Sequence, residues 1–137
     1  MTENELSKVI LKAAIAVHRE LGPGLLESVY EHCLAMELRE IGIRCEQQQA
    51  LPVVYKGRAL DFGFRMDLVV EDLVVVEVKA SDGLSEVHFA QLLTYLKLSG
   101  RRLGLLINFN EALLKRGVRR VVNGLADDEP SSSLEDA

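Results

Sequence analysis

The feature that most limits the fold is a pair of apolar segments separated by one helical segment. Leu73–Lys79 begins with Leu-Val-Val-Val, a run typical of a strand that is buried on both faces. Leu103–Phe109 is a second apolar strand, and between the two Ser85 can cap a helix that runs to about Leu98. Strands joined in this way form a βαβ unit, so we predict that they are parallel and that the crossover is right-handed.

The rest of the chain completes an α/β domain. Apolar spacing predicts an amphipathic helix over residues 3–21 and a second helix from about Leu25 to Ile41. Further strands are predicted at residues 43–55, 58–64, 65–70 and 118–122, with a hairpin turn at Lys56-Gly57 and a short helix or turn at 111–115. We expect one domain over residues 1–123, with a mixed sheet flanked by helices, and a disordered acidic, Ser-rich tail over 124–137.

Composition excludes several classes of protein. The chain has 137 residues, the length of one ordinary domain, and no apolar stretch approaches the roughly 18 residues of a membrane span. Its acidic start is not typical of a secretory signal. Two cysteines, Cys33 and Cys45, provide neither a disulfide framework nor the ligand spacing of a zinc site. These features predict a reduced, cytoplasmic protein with no membrane partner.

The net charge of −5 hides an uneven distribution. The tail from Gly124 onward carries five acids and no base, which leaves 16 acids against 16 Lys and Arg in the rest of the chain. Between Lys97 and Arg120, seven basic residues stand against the single acid Glu111. Local charge decides where a phosphate backbone docks, although a solvated surface explains the same pattern. The candidate contacts to a nucleic-acid backbone are Arg101, Arg102, Arg116, Arg119 and Arg120.

Charged residues interrupt strands that are otherwise apolar. The two-residue period of a strand puts Glu77 and Lys79 on one face, and a hairpin through residues 71–72 would place Asp67 beside Glu77. Two adjacent carboxylates repel each other, and a divalent cation such as Mg²⁺ relieves that repulsion. Lys79 could then hold or help to deprotonate a water that attacks a phosphate. The alternative is a simple Glu77–Lys79 ion pair at a solvated strand end.

Two helices carry further polar candidates. His88, Gln91 and Tyr95 fall at helical spacing on a leucine-rich helix. Gln91 would point across the carboxyl end of the preceding strand, where α/β sheets usually place their sites, although a half-exposed stripe with Tyr95 at the core edge fits equally well. Glu27 opens the second helix with Tyr30 one turn later, and a first-turn Glu often only complements the helix dipole.

Several segments together resemble a known family. Gly24-Leu-Leu-Glu27-Ser-Val-Tyr30 matches the signature of the GxxExxY proteins, a bacterial group. Further stretches resemble the same family in the same order: Asp67–Val70, Glu77-Val-Lys79, Ala90–Lys97 and Gly104–Phe109. This family resembles the PD-(D/E)XK nuclease superfamily. The resemblance, over roughly residues 5–123, implies a restriction-endonuclease-like core made of a helix, a three-stranded meander, a helix and a strand.

The resemblance also implies residue roles. The metal ligands for Mg²⁺ or Mn²⁺ would be Asp67, Glu77, Glu27 and the backbone carbonyl of Val78. Lys79 would position the attacking water, and Gln91 would orient the lysine, the water or a phosphate. The supporting residues would be Tyr30, Tyr95 and His88. Met66 stands where the pattern expects a proline.

These observations favour a metal-dependent nuclease that hydrolyses phosphodiester bonds, with DNA favoured over RNA. A cation that activates water makes a histidine base unnecessary. Phe62 and Phe64 are the only candidate platforms for base stacking, which is weak support for sequence-specific binding of a single strand. A non-catalytic nucleic-acid-binding or protein-interaction module and an oligomeric structural protein are the alternatives. The small size of the domain favours a homodimer.

Overall fold

The computed structural model describes residues 1–125, so the tail predicted to be disordered lies outside the described residues from position 126 onward. The helices are α1 (Glu3–Leu21), α2 (Glu27–Glu40) and α3 (Glu86–Ser99), with a 3-10 helix at Leu114–Gly117. The strands are β1 (Cys45–Ala50), β2 (Val53–Tyr55), β3 (Arg58–Leu60), β4 (Arg65–Val70), β5 (Val74–Lys79), β6 (Leu103–Asn108) and β7 (Val118–Val122). No helix in this part of the chain is long and apolar enough to span a membrane.

Five strands form one mixed sheet in the order β1-β4-β5-β6-β7. The predicted parallel pairing of β5 with β6 is confirmed, and every other neighbouring pair in the sheet is antiparallel. Because β5 and β6 are parallel, the chain returns through α3 to the end of the sheet where β5 began. The carboxyl ends of β5 and β6 therefore lie together at the other end.

The strand region predicted over residues 43–55 contains two strands, β1 and β2, which belong to different sheets. The chain leaves the main sheet after Ala50, where Pro52 has no N–H with which to continue a ladder. β2 and β3 then pair only with each other. The backbone N–H of Leu51 donates to the carbonyl of Phe64 at 3.0 Å, which closes the base of this hairpin before β4 begins.

Helices cover both faces of the sheet, which explains the apolar runs in the central strands. α1 and α2 pack on the face formed by Leu68, Val70, Val74, Val76 and Leu105. α3 packs on the opposite face, where Leu92 and Leu96 contact Val69, Val75 and Leu106. Side chains alternate along a strand, so positions 67, 77 and 79 belong to the α3 face. The restriction-endonuclease-like, mixed α/β fold expected from the sequence is confirmed.

Candidate metal centre

The pairing between β4 and β5 stops where two carboxylates enter the ladder. The register runs from Val70 opposite Val74 to Leu68 opposite Val76, and it ends there. The backbone N–H of Asp67 then donates to Oε2 of Glu77 at 2.8 Å. The N–H of Val78 donates to Oδ2 of Asp67 at 2.8 Å. Each carboxylate therefore takes the place of a backbone acceptor, and the two side chains lie next to each other, as their ten-residue spacing predicts.

The surroundings of both carboxylates favour their neutral forms. Glu77 is only 4% exposed. Burial, followed by the negative charge of Asp67, raises the pKa of Glu77 to about 8. Burial also raises the pKa of Asp67, although the hydrogen bonds from Val78 and Gln48 oppose that shift. Such a pair is relieved either by a proton or by a cation.

The donor set fits a hard divalent cation. Mg²⁺ usually binds through one or two carboxylates and keeps several of its waters. Asp67 and Glu77 provide two carboxylates, and no group of three or more His, Cys, Asp and Glu side chains that could hold an ion occurs within residues 1–125. Asp67 and Glu77 are the adjacent carboxylates that could hold such an ion, whereas Glu27 and the backbone carbonyl of Val78 stay predictions as further ligands.

Lys79 ends the same strand on the same face. Its side chain is half-buried, and its ammonium group makes no hydrogen bond or ion pair with any described residue. The Glu77–Lys79 ion pair of the alternative interpretation is therefore not formed. The positive charge nevertheless acts on the site, because it lowers the pKa of both Asp67 and Glu77. A cationic group that is not committed to a partner stands beside the two carboxylates.

Comparison with known proteins identifies the family. A family model of the PD-(D/E)XK nuclease superfamily matches residues 4–121. The chain belongs to the PD-(D/E)XK nuclease superfamily. The narrower resemblance to the GxxExxY proteins stays a prediction.

Solved structures and curated proteins give no further information about the function of this chain. The solved structure titled "Crystal structure of SSO0001" is similar at a TM-score of 0.53 and 18% identity, over 80% of this chain and 54% of that one. The likeness concerns the fold alone, and this chain spans about half the length of that protein. No curated protein matches the chain.

A glutamate and a glutamine that the sequence analysis missed are linked by hydrogen bonds to this candidate centre. Glu31 is buried, and its Oε1 accepts a hydrogen bond of 2.6 Å from Nε2 of Gln48. The same Nε2 lies 3.2 Å from Oδ1 of Asp67. Gln48 has a φ of 53°, a left-handed conformation that is uncommon for a residue with a side chain. The signals were Glu31 one turn after Glu27 and the three glutamines of strand β1.

Glu27 lies at the edge of the centre, and its carboxylate already has a backbone partner. Its Oε2 accepts a hydrogen bond of 3.0 Å from the N–H of Ala80, the residue that follows β5. The negative charge of Glu27 raises the pKa of Asp67, so it acts on the pair electrostatically. Buried Asn108 holds the next residue, Ser81, through hydrogen bonds of 3.1 Å and 3.0 Å to its backbone. The loop after Lys79 is therefore fixed from both sides.

Tyr30 fixes the segment that leads into Glu27. Its hydroxyl donates to the carbonyl of Gly22 at 2.5 Å and accepts from the N–H of Leu25 at 3.0 Å. Its fully buried ring stacks on Phe109, with ring centroids 4.6 Å apart. The three-residue spacing between Glu27 and Tyr30 thus lets one helical turn present a carboxylate to the site and a hydroxyl to the preceding loop.

Replacing Tyr30 with Phe is expected to cost about 1–2 kcal/mol of unfolding free energy. The ring and its stacking remain, but the N–H of Leu25 and the carbonyl of Gly22 lose their partner. Urea denaturation measures the cost, and hydrogen exchange at Leu25 should accelerate. Tyr55→Phe is the matched control, since that exposed side chain should change stability by less than about 0.5 kcal/mol. Equal stabilities for Tyr30→Phe and the wild type would contradict this account of the loop.

The three polar candidates on α3, which are His88, Gln91 and Tyr95, lie in three different environments. His88 accepts the N–H of Ser85 through Nδ1 at 3.1 Å, so it caps the helix. Gln91 is exposed, one turn before Tyr95. Tyr95 is buried, and its pKa is raised first by burial and then by the negative charge of Glu77 and of the neighbouring aspartate. The stripe therefore brings Tyr95 towards the carboxylates and commits His88 to the helix end.

The structure takes two of the five predicted arginines away from this centre and gives two of the others partners of their own. Arg101 forms an ion pair of 2.6 Å with Asp72, and Arg102 forms one of 2.9 Å with Glu3. Both arginines precede β6, so they lie at the end of the sheet opposite Lys79. Arg120 bonds to the side chain of Asn4, Nη1 of Arg119 donates to the carbonyls of Arg116 and Val118, and Arg116 lies exposed in the 3-10 helix.

Proposed function

We propose that this chain is a metal-dependent nuclease that hydrolyses phosphodiester bonds in nucleic acid, with DNA as its expected substrate. The observation that carries the proposal is the opened β4–β5 ladder, where Asp67 and Glu77 meet beside Lys79. Membership of the PD-(D/E)XK superfamily supports nuclease chemistry as the class of reaction. The proposal adds the substrate, the metal ion and the residues that act on them.

The roles follow from the chemistry of each group. Asp67 and Glu77 would hold a divalent cation, which would supply Lewis-acid chemistry and acidify a bound water. The ammonium group of Lys79 can orient a water and offset the charge that develops on the phosphate. His88 is engaged in capping α3, so it is not proposed as a base. Gln91, exposed near the start of α3, is proposed to contact a water or a phosphate oxygen.

Binding of Mn²⁺ in calorimetric titrations is expected to be lost in the variant Asp67→Asn. A neutral amide removes one of the two negative ligands, while Asn can still accept the hydrogen bond from Val78. Because Glu77 must release its proton before it binds a cation, the affinity of the wild type should rise by up to about tenfold per pH unit as the pH approaches 8.

Asp72→Asn provides the matched control for this titration. Asp72 lies in the exposed β4–β5 turn at the far end of the sheet and keeps its left-handed backbone conformation as Asn. Its Mn²⁺ binding should equal that of the wild type. Retained binding in Asp67→Asn would contradict the metal centre. Nucleic-acid binding without any metal binding would favour the non-catalytic module instead.

A further inference from the structure

A two-stranded arm projects from the end of the sheet that carries the carboxylates. We define the arm as residues 51–64, which contain β2 and β3. Its base is closed by the hydrogen bond between Leu51 and Phe64, and its strands pair only with each other. β4 begins directly after the arm, and Asp67 is its third residue. The base of the arm therefore adjoins the candidate metal centre.

The arm exposes aromatic side chains. Tyr55 is 60% exposed, Phe62 is 63% exposed and Phe64 is 43% exposed. The four other Tyr and Phe residues of the chain are buried or half-buried within the domain. Exposed apolar area concentrated in one place marks a binding surface more often than scattered residues do. All three exposed aromatic rings therefore occur on one element, and that element lies beside the site.

Positive charge accompanies these rings. Lys56 lies in the hairpin turn, Arg58 follows that turn, and Arg65 stands at the base of the arm, against a single acid, Asp61. Nζ of Lys56 lies 5.6 Å from the centroid of the Tyr55 ring. Proteins that bind single-stranded nucleic acid combine exposed rings, on which bases stack, with cations that follow the phosphates. A second copy of the chain fits less well, since two apposed arms would bring these cations together.

The rings also continue towards the carboxylates. The centroids of Phe64 and Tyr95 are 6.4 Å apart, and Phe64 precedes Asp67 by three residues, a rise of about 10 Å along a strand. If a base stacks on Phe64, the phosphate of that nucleotide or of the next one would therefore lie near the two carboxylates. Phe64 therefore lies between the other two exposed rings and the metal centre along the chain.

We propose that the arm binds an unpaired strand of nucleic acid, with bases stacked on its aromatic rings and phosphates held by its cations, and leads that strand to the metal centre. The inference rests on the proposed nuclease function and names its substrate class: single strands, or duplexes with an unpaired end or flap. Intact duplex is excluded from this path because its bases are already stacked on one another.

The test measures binding separately from cleavage. Fluorescence anisotropy with EDTA present follows a labelled single-stranded DNA and a duplex of the same sequence. The double variant Tyr55→Ala/Phe62→Ala should bind the single strand at least about tenfold more weakly, since stacking on aromatic rings contributes strongly per base. Its affinity for the duplex should change little. The matched control is Val54→Ala, an equally exposed but aliphatic position on the same strand, which should bind as the wild type does.

Salt dependence examines the cations. A plot of log affinity against log salt concentration has a negative slope. For Lys56→Ala/Arg58→Ala, this slope should become shallower by about 1.4, which corresponds to the loss of two phosphate contacts on a single strand. Unaltered affinity of the aromatic double variant, with unfolding midpoints equal to the wild type, would overturn the inference. Conversion of a dimer to a monomer by that variant, observed by sedimentation, would also overturn it, because a second copy would then occupy the arm.

The outcomes for the arm and for the nuclease remain distinct. Loss of single-strand binding in the aromatic variant, together with no cleavage by the wild type with Mg²⁺ or Mn²⁺, would support the arm and reject the proposed activity. Cleavage by the wild type, together with normal binding by the aromatic variant, would support the activity and reject the arm.

Discussion

Replacing Lys79 with Ala is expected to slow metal-dependent cleavage of nucleic acid by about 10²- to 10³-fold. The ammonium group makes no hydrogen bond or ion pair with a described residue, so its removal leaves no hydrogen-bonding group without its partner. Folding and stability should therefore be nearly unchanged, and metal affinity should be equal or slightly tighter, since one positive charge is lost. Single-turnover cleavage of labelled DNA at saturating Mg²⁺ measures the rate, and calorimetry with Mn²⁺ measures the affinity.

Two further variants make this result interpretable. Lys97→Ala removes an exposed lysine from the last turn of α3 and should cleave as the wild type does. Asp67→Asn should be inactive for a different reason, because it also loses the metal. Equal rates for the wild type, Lys79→Ala and Asp67→Asn would reveal a contaminating nuclease or a different active site. Full activity in Lys79→Met would show that the charge of this lysine is not needed for cleavage.

Replacing Glu77 with Gln is expected to stabilise the metal-free protein at alkaline pH while abolishing metal binding. Burial and the charge of Asp67 raise the pKa of Glu77 from 4.5 to about 8. Between those two values the folded chain holds a proton that the unfolded chain has released. The unfolding free energy of the wild type should therefore fall as the pH rises through this window, by up to about 1.4 kcal/mol per pH unit. Gln carries no charge and still accepts the N–H of Asp67.

Urea denaturation in EDTA at pH 5, 7 and 9 measures this difference. The wild type and Glu77→Gln should be similar at pH 5, and the variant should be clearly more stable at pH 9. Added Mg²⁺ should stabilise only the wild type, because a ligand stabilises the state that binds it. Glu40→Gln, at the exposed end of α2, should keep the pH dependence of the wild type. The same pH dependence in Glu77→Gln would contradict the assignment of the raised pKa to this residue.

The sequence predicted those features of the fold that depend on residues close together in the chain. The Leu73–Val76 run implied a strand covered on both faces, and both faces are covered by helices. The short turn after Val70 implied a hairpin, and the hairpin brings Asp67 to Glu77. Both inferences depend on residues that are close in sequence.

Features that depend on distant residues were not predictable in the same way. The cluster of arginines is compact in sequence, yet the direction of β6 takes Arg101 and Arg102 to the far end of the sheet. The bridge from Glu31 through Gln48 to Asp67 joins three elements, and nothing in the sequence specified the left-handed backbone at Gln48. The hairpin turn of the arm was predicted at Lys56-Gly57, but the separation of β2 and β3 from the main sheet was not, because it depends on pairing between distant strands.

At the open end of the β4–β5 hairpin, two side-chain carboxylates accept the backbone hydrogen bonds, and this substitution has an evolutionary consequence. Asp67 and Glu77 replace main-chain acceptors, so a lineage without the proposed chemistry would still need an acid or an amide at both positions to hold these strands together. Purifying selection against apolar residues at the two positions therefore cannot separate an active lineage from a degenerate one. The side chain of Lys79 makes no hydrogen bond or ion pair with a described residue. Replacement of either acid by its amide, or drift at Lys79, is the genetic mark by which a silenced copy would be recognised.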